Sequence, residues 1–116
     1  INGGSQTRDF IYVDDVVEII NIAITKCMTD VCNISVNVLT GRSVSIDWLA
    51  DTLISLSNCT ATKVYNELPI GDPLVSNGTL SVLKRLVGDN LHKFTKLEDG
   101  LEYTLSSMLL GEKIIE

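Results

Sequence analysis

Residues 7–28 read Thr7-Arg8-Asp9-Phe10-Ile11-Tyr12-Val13, then Asp14-Asp15, then Val16-Val17-Glu18-Ile19-Ile20-Asn21-Ile22-Ala23-Ile24-Thr25-Lys26-Cys27-Met28. Gly3-Gly4-Ser5 supplies a turn ahead of them, and the β-branched and aromatic content of 7–13 predicts a strand. Asp14 or Asp15 offers the carboxylate of a helix N-cap. Beyond it Val16, Ile20, Ala23, Ile24 and Cys27 recur at helical spacing, which predicts a buried stripe on a helix of about 12–14 residues. A strand running straight into a helix sets the class of the chain as α/β.

The remaining segments repeat the alternation. Residues 32–38 (Cys32-Asn33-Ile34-Ser35-Val36-Asn37-Val38) have strand composition and end at a Thr40-Gly41 turn. Ser45 is placed to cap a helix over 46–57, where Ile46, Leu49, Leu53 and Leu56 step by three and four along one face. Lys63 to Leu68 reads as a weaker strand stopped by Pro69 and Gly71-Asp72-Pro73. Ser76 or Thr79 opens a short helix carrying Leu80, Leu83, Leu86 and Val87. Thr95-Lys96-Leu97-Glu98 has the form of a capping box before a helix over 97–110, with Leu97, Leu101, Leu105, Met108 and Leu109 at helical spacing. The expectation is a small mixed α/β unit of three or four helices and two or three short strands, one domain over 1–116. Such a sheet does not close by itself, so part of the apolar surface expects a partner.

Composition narrows the function classes. The chain has 116 residues, 45% of them hydrophobic and 21% charged, enough to fold around a core. Its net charge of −6 leaves no basic surface for general binding of nucleic acid or an anionic membrane. No apolar run reaches the length of a membrane span, and nothing at Ile1 has the form of a signal peptide or an initiator, so the chain reads as a piece cut from a longer protein. Cys27, Cys32 and Cys59 form no Cys-x-x-Cys pair and are an odd number, which favours a reducing, cytoplasmic setting.

The catalytic inventory is small. His92 is the single histidine and sits in a polar stretch, so neither a zinc site nor a Ser/His/Asp triad assembles from this chain. No glycine-rich phosphate loop precedes a helix, and no Tyr-x-x-x-Lys occurs, since Tyr12, Tyr65 and Tyr103 are followed four residues on by Val16, Pro69 and Ser107. No catalytic residue and no metal site is expected, and the chain alone is not expected to be catalytic. Arg8 stands apart, because a guanidinium in an apolar strand suits bidentate contact with phosphate. The equally weighted alternative is an edge-strand arginine paired with Asp9 or another nearby acid.

Gly4-Ser5-Gln6-Thr7-Arg8-Asp9-Phe10-Ile11-Tyr12-Val13-Asp14-Asp15-Val16-Val17 resembles the motif of the extended short-chain dehydrogenase/reductases that act on nucleotide sugars, such as UDP-glucose 4-epimerases and dTDP-glucose 4,6-dehydratases. Val36-Asn37-Val38-Leu39-Thr40-Gly41 is similar to that family's Phe-Asn-Ile-Gly-Thr-Gly turn, and Val44-Ser45-Ile46-Asp47-Trp48-Leu49-Ala50 to its next helix start. Gly71-Asp72-Pro73 resembles its Arg-Pro-Gly-Asp segment. Lys84-Arg85-Leu86-Val87-Gly88 and Leu97-Glu98-Asp99-Gly100-Leu101 resemble its closing helices. The resemblance implies that the chain is the C-terminal, substrate-binding part of such an enzyme, an isomerase or a lyase. The NAD(P) cofactor and the Tyr/Lys pair would then belong to a Rossmann domain outside it. It also implies that Arg8 contacts the diphosphate of a nucleotide sugar and that Asn37 contacts the substrate or ties the turn. Partners implied are the nucleotide sugar, the protein's own Rossmann domain and, through the face left bare, a second copy as a homodimer. Three departures stand out: Pro69-Ile70 where the family has a second arginine, Leu39 for a glycine, and Thr79 for an aspartate. A non-catalytic module that kept the fold, or a reductase of another carbonyl compound, are the alternatives.

Overall fold

The computed structural model describes residues 1–29, 33, 35–88 and 93–112. The strand expected from Thr7 to Val13 is shorter: β1 covers Thr7–Asp9 and pairs antiparallel with β2, Ser43–Ser45, with Thr7 opposite Ser45, Arg8 opposite Val44 and Asp9 opposite Ser43. On its other side Thr7 N–H donates to the Leu74 carbonyl (2.9 Å) and the Thr7 carbonyl accepts from Ser76 N–H (3.3 Å), forming a parallel bridge to Val75. Phe10, Ile11 and Tyr12 leave the ladder because their side chains line an apolar furrow with Leu49, Leu97 and Leu101. The strand expected at 63–68 reduces to a bridge between Asn2 and Asn66, and the described residues of 32–38 run without sheet partners.

Helix α1, Val13–Thr29, starts one residue earlier than expected and is longer. Asp14 and Asp15 therefore lie in its first turn, where carboxylates complement the helix dipole. The buried face also differs from the expected stripe. Ile19 is buried and Ile22 and Ala23 pack against the core, whereas Ile20, Ile24 and Cys27 are exposed. The reason is that the apolar face of α1, opposite Asp14, Glu18, Asn21 and Thr25, is wide, and the rest of the chain covers only part of it.

Helix α2, Ile46–Ser57, is capped as the sequence predicts, with the Ser45 hydroxyl accepting from Trp48 N–H at 3.0 Å. Its other free donors go to the segment before β1: Ile46 N–H to the Gln6 carbonyl and Asp47 N–H to the Gly4 carbonyl. Helix α3, Ser81–Val87, has Leu80 at its N-cap and no side-chain cap, so neither Ser76 nor Thr79 plays that part. Helix α4 spans Leu97–Glu112. The capping box expected at Thr95 is replaced by a contact from α1: the Asp15 carboxylate accepts from Thr95 N–H (3.0 Å) and from its hydroxyl (2.9 Å). An acid 80 residues away thereby does what Glu98 was expected to do.

Ile19, Leu83, Leu86 and Val87 form the core, supported by Ile11, Ile22, Ala23, Val36, Val38, Leu80 and Phe94. The radius of gyration is 17.3 Å, against roughly 13 Å for a compact chain of this length. Among the described residues, four helices and one small sheet are spread rather than closed into two complete layers.

A charged network braces the start of α2. Lys63 Nζ donates to Asp47 and to Asp51, each at 2.8 Å, and the Tyr65 hydroxyl donates to Asp47. The hydrogen bonds from Lys63 first and Tyr65 second hold the Asp47 carboxyl below its ordinary value of 3.8. A depressed folded-state pKa stabilises above the unfolded value and is lost as pH falls through the folded one. The melting temperature should therefore drop below about pH 4, and less steeply in Asp47→Asn. Parallel thermal-melt curves for the two proteins between about pH 2 and pH 5 would show that the pair contributes nothing to folding.

Candidate functional site

Arg8 sits on β1 between β2 and the 74–76 segment. Its Nη1 donates to the Thr7 carbonyl (2.8 Å) and its Nη2 to Asp72 Oδ1 (2.6 Å), with 24% of the side chain exposed. Of the two readings the sequence left open, pairing with a nearby acid is thus present, and the acid is Asp72 rather than Asp9. The pairing does not exhaust the side chain, since a guanidinium has five donors.

Asp9 points the other way along the strand's alternation and has its own task. Its carboxylate accepts from Thr40 N–H (2.9 Å), the Thr40 hydroxyl (2.7 Å) and Gly41 N–H (2.7 Å). These bonds pin the Thr40-Gly41 turn, with Gly41 at φ +79°, against β1. Asn37 lies just before this turn and is exposed, while Val36 and Val38 on either side pack against the core. Leu39, the residue standing in place of a glycine, is buried, and its methyl groups would lie 3.0 Å and 3.4 Å from a Cβ at Gly78. Asp9 and Asp72 were not singled out in their own right by the sequence reading. The available signal for Asp9 was its place beside Arg8 in the quoted motif.

Two grooves share Phe10, Thr95 and Leu97 and form one furrow. One, of about 180 Å³, is lined by Arg42, Val44, Trp48 and Glu98 among others. The other, of about 280 Å³, is the apolar one beside Leu49 and Leu101. Neither Arg8 nor Asn37 lines these grooves. A third groove, of about 240 Å³, lies between α1, the 36–38 segment and α3, and is lined by Ile19, Ile20, Ala23, Cys27, Val36, Val38 and Leu86.

Among the described residues no group of three or more His, Cys, Asp or Glu is arranged to hold a metal ion, and His92 lies outside the described residues. No helix among them is long and apolar enough to cross a membrane. Gly3 N–H donates to the Asn66 carbonyl, Gly4 N–H to Gln6 Oε1, and Gly41 N–H to Asp9, so the donors a dinucleotide would need are already engaged.

Residues 1–38, which carry Arg8, Asp9 and Asn37, match the NAD dependent epimerase/dehydratase family. The match stops at Val38 and leaves the rest of the chain uncovered. The resemblance read from Gly4 to Val17 falls within the matched residues. In structure, the chain is similar to UDP-N-acetylglucosamine 4-epimerase from Methanobrevibacter ruminantium M1, solved in complex with UDP-N-acetylmuramic acid. The TM-score is 0.78 at 23% identity, over 95% of this chain and 34% of that one. This shows a shared fold, and the chain spans about a third of the epimerase's length. No curated protein matches the chain in sequence. The matching family is NAD-dependent, and the N–H groups of Gly3, Gly4 and Gly41 in this chain are engaged by its own acceptors. Within the epimerase/dehydratase segment lie Arg8, its neighbour Asp9, and Asp15 of the α1–α4 clamp; Arg42 and Asp72 lie beyond it.

Proposed function

We propose that this chain is the substrate-binding domain of an NAD(P)-dependent epimerase or 4,6-dehydratase of nucleotide sugars, acting in the cytoplasm. Arg8 contacts the diphosphate, and Asn37 presents its amide to the substrate from the turn that Asp9 holds. The observation that carries this reading is Arg8 itself. It lies in the family segment, is held at two points by Thr7 and Asp72, and has donors to spare. Recognition of a UDP sugar by the similar epimerase supports the same ligand class here. The cofactor and the proton-transferring groups belong to a Rossmann domain, which covers the apolar face of α1; in the chain alone a second copy takes that place.

A second reading, a non-catalytic module that kept the fold, draws support from the Arg8–Asp72 pair. That pair cancels the cation's charge, and Pro69-Ile70 stands where a second arginine would be.

One charge-assisted contact contributes roughly 1.5–3 kcal/mol, and about 4 kcal/mol corresponds to a millimolar constant. UDP should therefore bind the chain at millimolar strength or weaker, shifting the Arg8 resonances in NMR titrations, and Arg8→Ala should remove the effect. NAD added to the same sample should bind nowhere. Unchanged UDP binding in Arg8→Ala, or saturable NAD binding by calorimetry, would overturn the reading.

A further inference from the structure

We infer that the turn from Pro69 to Pro73 is a latch: Asp72 occupies Arg8 as a built-in anion, and a phosphate-bearing ligand must displace it. The inference rests on the reading of Arg8 as a phosphate ligand and adds a regulatory step to it. The Arg8 guanidinium has two acceptors, the Thr7 carbonyl on Nη1 at 2.8 Å and Asp72 Oδ1 on Nη2 at 2.6 Å. Its remaining donors can reach a phosphate, but its charge is already answered, and two anions at one cation repel each other. The Thr7 carbonyl cannot give way, because it also accepts Ser76 N–H at 3.3 Å in the bridge beside β1. Asp72 is therefore the acceptor that leaves.

The build of the turn suits that part. On one side Asn66 is fixed, its N–H donating to the Ile1 carbonyl (2.8 Å) and its carbonyl accepting from Gly3 N–H (2.9 Å). On the other the Leu74 carbonyl accepts from Thr7 N–H (2.9 Å). Between these two points the chain projects into solvent: Ile70 is wholly exposed, and Gly71, at φ +91°, has nothing within 4 Å of where a Cβ would stand. Among the described residues the Arg8–Asp72 pair holds the only hydrogen bond made by a side chain of the turn. Asp72 N–H donates to the Pro69 carbonyl at 3.1 Å and a proline stands at each end, so the turn keeps its own shape when that bond breaks. The pair is partly open to water, 24% on the Arg8 side chain and 36% on that of Asp72, and such pairs are weak enough for a ligand to break. Binding at Arg8 and closure of the turn are thus coupled, and each weakens the other.

The test follows two probes on the full chain by NMR: UDP, and inorganic pyrophosphate, which has the charge and no nucleoside. Asp72→Asn should tighten both about fivefold, the strength of one exposed ion pair, and Asp72→Ser should do the same. Glu67→Gln removes an equal charge from an exposed site outside the turn and should change neither by more than about twofold. A second measurement needs no ligand: in Arg8→Gln the amide resonances of Ile70, Gly71 and Asp72 should move in the direction in which UDP moves them in the wild type. If both Asp72 variants weaken UDP and leave pyrophosphate unchanged, Asp72 serves the nucleoside, and the latch falls while the proposed function stands. Unchanged affinities in those variants, or turn amides that ignore Arg8→Gln, overturn the latch in the same way. If Arg8→Gln leaves UDP binding intact, or UDP binds neither the wild type nor Asp72→Asn, the proposed function falls with it.

Discussion

Asp9→Ala should cost the chain about 2–3 kcal/mol of stability, lowering its melting temperature by on the order of 10 °C. The carboxylate serves three donors at once, Thr40 N–H, the Thr40 hydroxyl and Gly41 N–H. Truncation leaves two backbone groups of a tight turn without an acceptor, and hydrogen bonds to an ionised group are the stronger kind. Water reaches Gly41, which keeps the loss below the sum of three separate bonds. Asp9→Asn retains one acceptor oxygen and should lose about half as much. Because the turn also carries Asn37 and Arg42, the amide resonances of 37–42 should broaden or shift in both variants. Chemical denaturation giving less than about 0.5 kcal/mol for Asp9→Ala would mean that the turn holds itself.

The second large effect is on assembly: at micromolar to millimolar concentration the chain should form dimers, doubling its mass in sedimentation equilibrium. Val13, Val17, Ile20, Ile24 and Met28 line one side of α1 at spacings of four and three, and are 62%, 48%, 50%, 54% and 83% exposed. Helical stripes of that width are normally covered, and the groove of about 240 Å³ beside Ile20 continues the apolar surface. Burying one such side chain contributes roughly 1.5–3 kcal/mol, so Val17→Glu combined with Ile24→Glu should weaken the dimer at least about a hundredfold. The net charge of −6 on each copy opposes association, and added salt should strengthen it. A monomer throughout that range, or a dimer indifferent to the two glutamates, would show that this face needs no cover.

Local signals in the sequence were sufficient wherever one residue acts on its own neighbourhood. Ser45 caps α2 because its hydroxyl reaches an N–H three residues on, and the alternation of Leu80, Leu83, Leu86 and Val87 places α3 against the core. The order of short motifs from Gly4 to Leu101 pointed to the mixed α/β class without any long-range contact, and the stretch from Gly4 to Val17 falls in the segment that matches the epimerase/dehydratase family model. What the sequence could not settle depends on partners far along the chain. Thr95 and Glu98 have the form of a capping box, yet Asp15 takes the Thr95 N–H and hydroxyl, because folding brings the first turn of α1 to the segment just before α4. Residues 10–13 have strand composition, but the ladder stops at Asp9 opposite Ser43, Phe10 to Tyr12 line a furrow and Val13 begins a helix. On α1 the apolar face is too wide for helical periodicity to single out one stripe, and only packing against α3 decides that Ile19 is buried while Ile20 and Ile24 stay exposed. The choice between an arginine for a ligand and an arginine for an acid was also tertiary: Asp72 is 64 residues from Arg8, and the fold alone brings it within 2.6 Å.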